Sequence, residues 1–524
     1  MNLLLHNARI FTCDPHRPWA SALVVANDRI VAVGPLSELE AIRLPALQRV
    51  DLGGAFVTPG LIDAHLHLLT TGQMLRQLKF SYEPTREEVI AAVRERAATT
   101  PPGQWIRGWG WQRMTWSADG MPTAADLDPA TNAHPVLLNA SSGHAVWLNS
   151  LALRVCGITS DTPDPEGGKV VRDAHGAPTG LLLEEAMDLA YRRLPAPTAE
   201  QDVAATLDAM QAMNRVGLTG VHCMDGAGGI DSFRIYQRVR DTGRQTLRVV
   251  KNLPAQDMNA VLGAGVRSGF GDAWLRIGGI KYFADGALGP RTALMLEPYE
   301  NEPRNYGIRT YEKEQLFEDI GRANAAGLSA IVHAIGDRAN REVLDAMEAA
   351  PRVPGLRNRI EHCQVLHPDD LPRFGRLGVI ASVQPIHATA DFKVVDAYWG
   401  RRGAGAYAFR TLVETGARLA FGSDAPVESF DPRIGIHAAV TRRRADGTPG
   451  PDGWYPAQRM TVEETLAAYT LGAAYAGYMD TEVGSLVAGK LADLTVFGRD
   501  LTQIPADDIL TTPVERVMVN GTWV

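Results

Sequence analysis

Two histidines one residue apart, His65 and His67, close the segment Thr58-Pro59-Gly60-Leu61-Ile62-Asp63-Ala64-His65-Leu66-His67. Val57, Leu61, Ile62 and Leu66 make the run apolar and strand-like around a Pro-Gly break. Residues i and i+2 of a strand face the same side. Two imidazoles therefore leave one strand end side by side, spaced to grip one metal ion, while Leu66 points into packing. A lone His-x-His is a weak signal, and its weight depends on partners downstream. Four such partners follow: Lys281 after Ile277-Gly-Gly-Ile280, His333 after Leu328-Ser-Ala-Ile-Val, His362 after Arg359-Ile-Glu, and Asp424 after Leu419-Ala-Phe-Gly-Ser423. Each stands where an apolar strand gives way to a loop bearing Gly, Pro or Asp. In a (β/α)8 barrel that is the C-terminal mouth, where active sites are built. Taken singly, each is as well explained as a satisfied structural group or a helix cap. Their shared position and order along the chain carry the reading.

Positioning these residues needs a barrel and more. The chain has 524 residues, against about 250 for a minimal barrel, so a second domain or large insertions must be present. Short strand-like runs joined by turns open the chain (Leu3–Ile10, Ala22–Gly34), and the far end repeats the texture at Leu486–Phe497 and Val514–Val519. Asn520-Gly521 before Thr-Trp-Val reads as a hairpin turn. Between the first barrel strand and the next, Gly217–His222, lies a stretch far longer than a βα connection, so residues about 72–198 are expected to form an insertion over the barrel mouth. It carries Trp105, Trp109, Trp111, Trp116, His144 and Trp147. These aromatics either build the insertion's own core or wall a substrate pocket. Helices are expected over Ala199–Arg215, Tyr311–Ala326 and Val462–Ala476, the last opened by a Thr461/Glu464 capping box.

The pattern resembles the amidohydrolase superfamily, specifically the branch that contains N-substituted formamide deformylase. That superfamily places His-x-His on the first barrel strand, lysine or glutamate on the fourth, histidines on the fifth and sixth, and aspartate on the eighth. These fall here on His65 and His67, Lys281, His333, His362 and Asp424. Gly108–Trp111, Pro135–His144, Asn149-Ser150, Thr162–Gly168, Asp285–Arg291 and Gln384-Pro385 also fit the branch, and the likeness spans nearly the whole chain. It implies an α/β fold: a TIM-like (β/α)8 barrel (58–477) with the large insertion after strand 1, and a discontinuous small β-domain from both termini (1–57 and 478–524). It implies one metal on His65, His67 and Asp424 and a second on His333 and His362. Lys281, carboxylated by carbon dioxide, and a hydroxide would bridge them. An uncarboxylated Lys281 snorkelling out or paired with Asp285 is the plainer account of the residue itself.

An amide has a poor electrophile, a poor leaving group and, in neutral water, a poor nucleophile. A divalent metal can lower the pKa of water from 15.7 to about 7 and polarise the carbonyl. Histidine nitrogens with a carboxylate suit zinc, and also manganese, iron or cobalt; single-metal members of the superfamily leave the count at one or two. In the implied reaction Asp424 takes the proton of the attacking water and passes it to the departing amine. His144 is a candidate for the oxyanion, and His144, Trp111, Arg291 and Gln384 are candidates for substrate binding. Asp63, Glu361 and Asp337 either orient the histidines or are structural loop residues, and His222 and His387 also lie near strand ends. The expected activity is metal-dependent hydrolysis of a non-peptide C–N bond in a linear N-substituted formamide or N-acyl amine. Alternatives are a cyclic amide, ester or carbamate, a deamination, or a non-catalytic binding barrel, against which the complete ligand set argues.

Composition narrows the partners. The chain is 45% apolar and 21% charged, as a globular enzyme should be. Net charge is −8 and no long basic run exists, which excludes nucleic acid as an expected partner. Arg442-Arg-Arg444 is the densest basic stretch and reads as a solvated loop. Met1–His6 lacks a basic segment and a long apolar run, so no signal peptide is expected, nor is any stretch long enough to span a bilayer. Cys13, Cys156, Cys223 and Cys363 contain no Cys-x-x-Cys, which suits a reducing cytoplasm. Dimerisation is suggested by the resemblance alone. No Gly-x-Gly-x-x-Gly, His-Glu-x-x-His or Gly-x-Ser-x-Gly motif competes.

Overall fold

The computed structural model describes residues 2–80, 84–112, 120–142, 144–226 and 231–524. They fall into two compact units, residues 1–71 with 206–524 and residues 72–205. The first holds an eight-stranded parallel sheet in chain order: Leu61–Leu66, Leu218–Cys223, Arg248–Pro254, Leu275–Phe283, Ser329–Ala334, Arg359–His362, Ile380–Val383 and Arg418–Phe421. At the C-terminal ends of the first and eighth strands, Asp424 N–H donates to His65 O (2.7 Å) and His67 N–H to Ala425 O (2.8 Å), which draws the sheet towards closure as a TIM-like barrel. The first three strands are buried at every position. A parallel sheet covered on both faces requires this, and it explains why they read as continuous apolar runs rather than alternating ones.

The two chain ends build one seven-stranded sheet. Leu494–Phe497 runs antiparallel to Phe56–Pro59, joining the C-terminal strands to those of the N-terminus. Leu5, Ile10, Val25, Val57, Leu494, Val496 and Met518 form its core. Of the expected run Leu486–Phe497 only the last four residues are strand, because the preceding stretch turns. Asn520 (φ 54°) and Gly521 (φ 74°) form the predicted hairpin turn between Val514–Val519 and Thr522–Trp523. Two positive φ angles are what such a turn needs. The strand Gln48–Pro59 passes through Gly60 directly into the first barrel strand. A Cβ at Gly60 would lie 2.2 Å from Thr219 Oγ1, so only glycine lets the chain pass there. Buried Arg248 on the third barrel strand adds a two-point ion pair to Asp493 (2.6 and 2.8 Å), tying the C-terminal strands to the barrel.

Lys313–Ala325 is helical close to the predicted bounds. Val462–Ala476 also coils throughout, with its Thr461/Glu464 capping box, but passes through a π-helical turn at Ala468–Gly472. There Gly472 packs against Leu419 O, closer than a Cβ would permit.

The unit of residues 72–205 is the insertion, slightly longer than the predicted 72–198. It holds a six-stranded sheet ordered Gly168–Arg172, Pro178–Glu184, Ala145–Leu148, Val136–Ala140, Ile106–Trp111 and Leu78–Lys79. Trp111 and Trp147 meet edge to face at 6.0 Å in its core, and their indole N–H groups donate to Leu138 O and Thr123 O. These two tryptophans thus build the insertion's own core, while Trp109 is partly exposed. Trp116 and Gly143 lie outside the described residues. Among the described residues, no helix is long and apolar enough to cross a membrane.

Candidate metal centre

The C-terminal ends of the barrel strands meet at a cavity of about 340 Å³ lined by His65, His67, Lys281, His333, His362 and Asp424, together with Phe283, Gln364, His387, Asp391 and Glu428. All six residues read from the sequence as ligands are therefore in one place. His65 Nε2 and His67 Nε2 lie 3.3 and 3.4 Å from the same Asp424 Oδ1. The i, i+2 spacing of the first strand aims both rings to one side, and the eighth strand delivers the carboxylate opposite them. Asp424 adopts a left-handed φ of 62° and His362 one of 74°, uncommon for such residues and concentrated where strand ends turn into functional loops.

The tautomers of three histidines follow from their outer partners. Glu361 is a carboxylate and can only accept, so His65 Nδ1–H donates to Glu361 Oε2 (2.5 Å). His362 Nδ1–H donates to Gln384 Oε1 (2.8 Å), and His333 Nε2–H donates to Gly286 O (2.9 Å). In its neutral form each ring is then left with one bare nitrogen lone pair, the form that binds a metal. The His362 ring centroid lies 4.7 Å from His65 and 4.6 Å from His333. Among the described residues two clusters of three have donor atoms mutually within 4.8 Å: His65, His67 and Asp424, and His362, His387 and Asp424. The second differs from the expected pairing of His333 with His362, and it brings in His387.

Electrostatics sharpen the picture. Burial, with Lys281 as the next cause, pushes His333 down to about 3. His362 is likewise held well below the imidazole range by burial and by His333 and His65. Burial also opposes charge on His65, but Glu361 and Asp424 outweigh it and leave the ring above its usual value. For Asp424, burial is outweighed by His65 and His67, and the carboxyl stays far below the carboxylate range. Burial drives Lys281 down to about 8 against the opposing pull of Glu361 and Asp424. Its Nζ is buried and has no hydrogen-bond partner among the described residues, lying 4.9 Å from the centre of the Phe283 ring. Lys281 neither snorkels out, being buried, nor pairs with Asp285, which accepts instead from Leu294 N, Ile335 N and Gly336 N. Four imidazoles, a carboxylate and an orphaned amine form a donor set that fits a divalent metal bound by nitrogen and oxygen.

The outer residues divide. Glu361 holds His65, and Asp63 Oδ1 accepts from both His65 N and Ser423 N (3.0 Å each), pinning the first strand to the loop of the eighth. Asp337 accepts from Leu296 N and touches no histidine. Gln384 holds His362 rather than appearing among the cavity walls, and Arg291 pairs with Glu302 and caps the Tyr398 ring. His144 pairs with Glu184 within the insertion. Fully buried His222 accepts from Arg359 and is not a wall of the cavity. Sequence reasoning missed Arg359, which ion-pairs with Glu361, and Asp225, which receives Thr70 Oγ1–H and Leu69 N–H beside His67. Both were findable. Arg359 is two residues before Glu361 on one strand, and Asp225 follows the end of the second strand as the ligands follow theirs.

Comparison with known proteins gives a consistent assignment. The profile of an amidohydrolase family matches residues 48–524. The protein LONG AFTER FAR-RED 3 of Arabidopsis thaliana is 34% identical over 94% of this chain and 87% of its own. N-substituted formamide deformylase of Arthrobacter pascens is 30% identical over 99% of this chain and 97% of its own. Among solved structures, a metal-dependent hydrolase of uncharacterised function from Pyrococcus furiosus superimposes with a TM-score of 0.79 and 28% identity, covering 96% of this chain and all of that one.

Proposed function

Because the chain belongs to the amidohydrolase family, we propose that this metal-dependent hydrolase cleaves a non-peptide C–N bond in a linear N-substituted formamide or N-acyl amine. The observation that carries the proposal is the convergence of His65, His67, His333, His362 and Asp424 on one cavity around the Lys281 amine, which has no hydrogen-bond partner among the described residues. The 30% identity to a formamide deformylase across nearly both whole chains supports the choice of substrate class. In this reading the histidines and Asp424 would hold zinc, two ions per chain, which when bound would supply Lewis acidity and lower the pKa of water. Lys281 would accept carbon dioxide as the neutral amine: its lone pair forms the N–C bond, one proton leaves the nitrogen, and an anionic carbamate replaces a neutral buried amine.

The chain's own groups then have definite tasks. Asp424 Oδ takes the proton released as water attacks the carbonyl and returns it to the amine nitrogen as the C–N bond breaks. Glu361, Gln384 and Gly286 O keep three imidazoles in the tautomer that leaves a lone pair inward. Phe283 and Val427 give the cavity an apolar rim suited to an uncharged organic substituent. Cytoplasmic residence is part of the proposal, supported by four buried cysteines, none in a disulfide.

The test is amine release from N-formyl, N-acetyl and longer N-acyl amines, with protein loaded with zinc in bicarbonate and Lys281→Ala as control. Turnover in the wild type that the control lacks supports the proposal. Bound metal with silence across the panel refutes the linear-amide reading, and turnover of cyclic amides or esters alone would replace it.

A further inference from the structure

One buried histidine in the cavity has the tautomer opposite to that of His65 and His362. His387 sits in the first turn of the helix Pro385–Tyr398, which begins just after the seventh strand, and it is only 7% exposed. Its ring lies nearly parallel to that of His362, at 7° and 6.1 Å. Gln364, itself buried, turns its side-chain amide nitrogen towards His387 Nδ1 at 3.3 Å. An amide N–H donates, so Nδ1 accepts, and the hydrogen of the neutral ring belongs on Nε2. His387 lines the cavity; its Nε2 is buried, has no hydrogen-bond partner among the described residues, and is 3.8 Å from Asp424 Oδ2. A nitrogen that carries hydrogen has no lone pair to give a metal. A buried donor without an acceptor is costly, and this one stands beside the carboxylate that handles the proton.

We infer that His387 is a catalytic hydrogen-bond donor whose Nε2–H binds the substrate's carbonyl oxygen and strengthens its hold as that oxygen gains negative charge. The inference rests on the hydrolase reading above and adds to it a residue that is not a metal ligand, although its distances to His362 and Asp424 would allow one. Gln364 is the positioning residue: reversing its amide would put the hydrogen on Nδ1 and make Nε2 a ligand instead. The two roles predict different losses.

The experiment compares wild type, His387→Ala and His387→Gln, all loaded with zinc in bicarbonate. Three quantities are measured: metal per chain, affinity for methylphosphonate as a tetrahedral anion, and kcat and KM on whichever amide or ester the wild type hydrolyses. A donor role predicts full metal content in both variants. It also predicts methylphosphonate binding at least tenfold weaker in His387→Ala, and kcat lower by about 10²–10³, the usual effect of removing one oxyanion donor. Glutamine retains an N–H near the position of Nε2 and should recover at least tenfold of that kcat. If the alanine variant does not fold, the glutamine variant decides alone, with kcat expected within about a hundredfold of wild type and metal content unchanged. Loss of metal in either folded variant would make His387 a ligand and overturn the inference. So would unchanged phosphonate affinity and kcat in His387→Ala, or failure of the metal-loaded wild type to bind methylphosphonate. A wild type that binds metal and phosphonate but hydrolyses only esters would refute the amide reading and leave the role of His387 standing.

Discussion

Glu361→Gln probes the link between barrel core and metal centre. Glu361 is fully buried, accepts from His65 Nδ1 at 2.5 Å, and ion-pairs with Arg359, which is 1% exposed. The remaining partners of Arg359 are uncharged or weakly basic: Ala64 O, Ser382 Oγ and His222 Nδ1. Glutamine keeps the shape but removes the charge. Its oxygen can accept from His65 or from Arg359, and its NH₂ then faces the other donor. Stranding one member of a buried pair costs about 3–5 kcal/mol. Spread over 524 residues at ~2.1 cal/mol/K each, this lowers Tm by about 3–5 °C. Loss of the acceptor that orients His65 should weaken metal binding by about 10–100-fold. Thermal melts of the metal-free protein and zinc titration against a competing chelator measure the two effects separately.

The pH dependence gives a second check on the same substitution. Burial opposes the charge on Glu361, but Arg359 and then His65 outweigh it and hold its folded-state pKa well below the carboxylate range. Its stabilisation is therefore complete above the unfolded-state value of about 4.3 and is lost as pH falls towards the folded-state value. The Tm gap between wild type and variant should be flat from about pH 5 to 6, close in stronger acid, and narrow above the unfolded imidazole value of about 6.5 as His65, whose proton Glu361 helps to hold, titrates. A Tm within 1 °C of wild type at about pH 6, or zinc affinity unchanged within about threefold, would refute the argument, since either effect is expected to be larger.

Three further perturbations test other parts of the design. Asp424→Asn should lower kcat by about 10²–10⁴ in steady-state assays, and the metal-free protein should melt somewhat lower because His65 and His67 stabilise the carboxylate; retained turnover would remove Asp424 from proton transfer. Gly422→Ala would set a Cβ 2.5 Å from His65 N and 2.7 Å from Asp63 Oδ1, so overpacking of about 1–3 kcal/mol and weaker zinc binding should appear together in melts and titrations. Arg248→Met leaves Asp493 buried without its cation, and a loss of about 3–5 kcal/mol should appear in chemical denaturation. A change below 1 kcal/mol would mean that this pair does not anchor the C-terminal strands.

The sequence by itself determined the parts governed by local period and by chain order. Alternation through His65-Leu66-His67 aims two rings one way, and the runs ending at Lys281, His333, His362 and Asp424 put each polar group at a strand's C-terminal end. Sequential parallel strands then place those ends at one mouth whatever the details of packing. The hairpin at Asn520-Gly521 and the capping box at Thr461 were legible for the same reason, since both depend on a few adjacent residues. Only the tertiary structure decided which groups hold the ligands, because those contacts join residues far apart in the chain. Glu361 reaches His65 across the barrel, Gln384 holds His362 from the next strand, and Asp63 clamps Ser423. It also separated Trp111, whose burial places it in the insertion's core, from the cavity walls. His387 shows the limit most plainly: its residue type permits a ligand or a donor, and the direction of one amide, that of Gln364, selects between them.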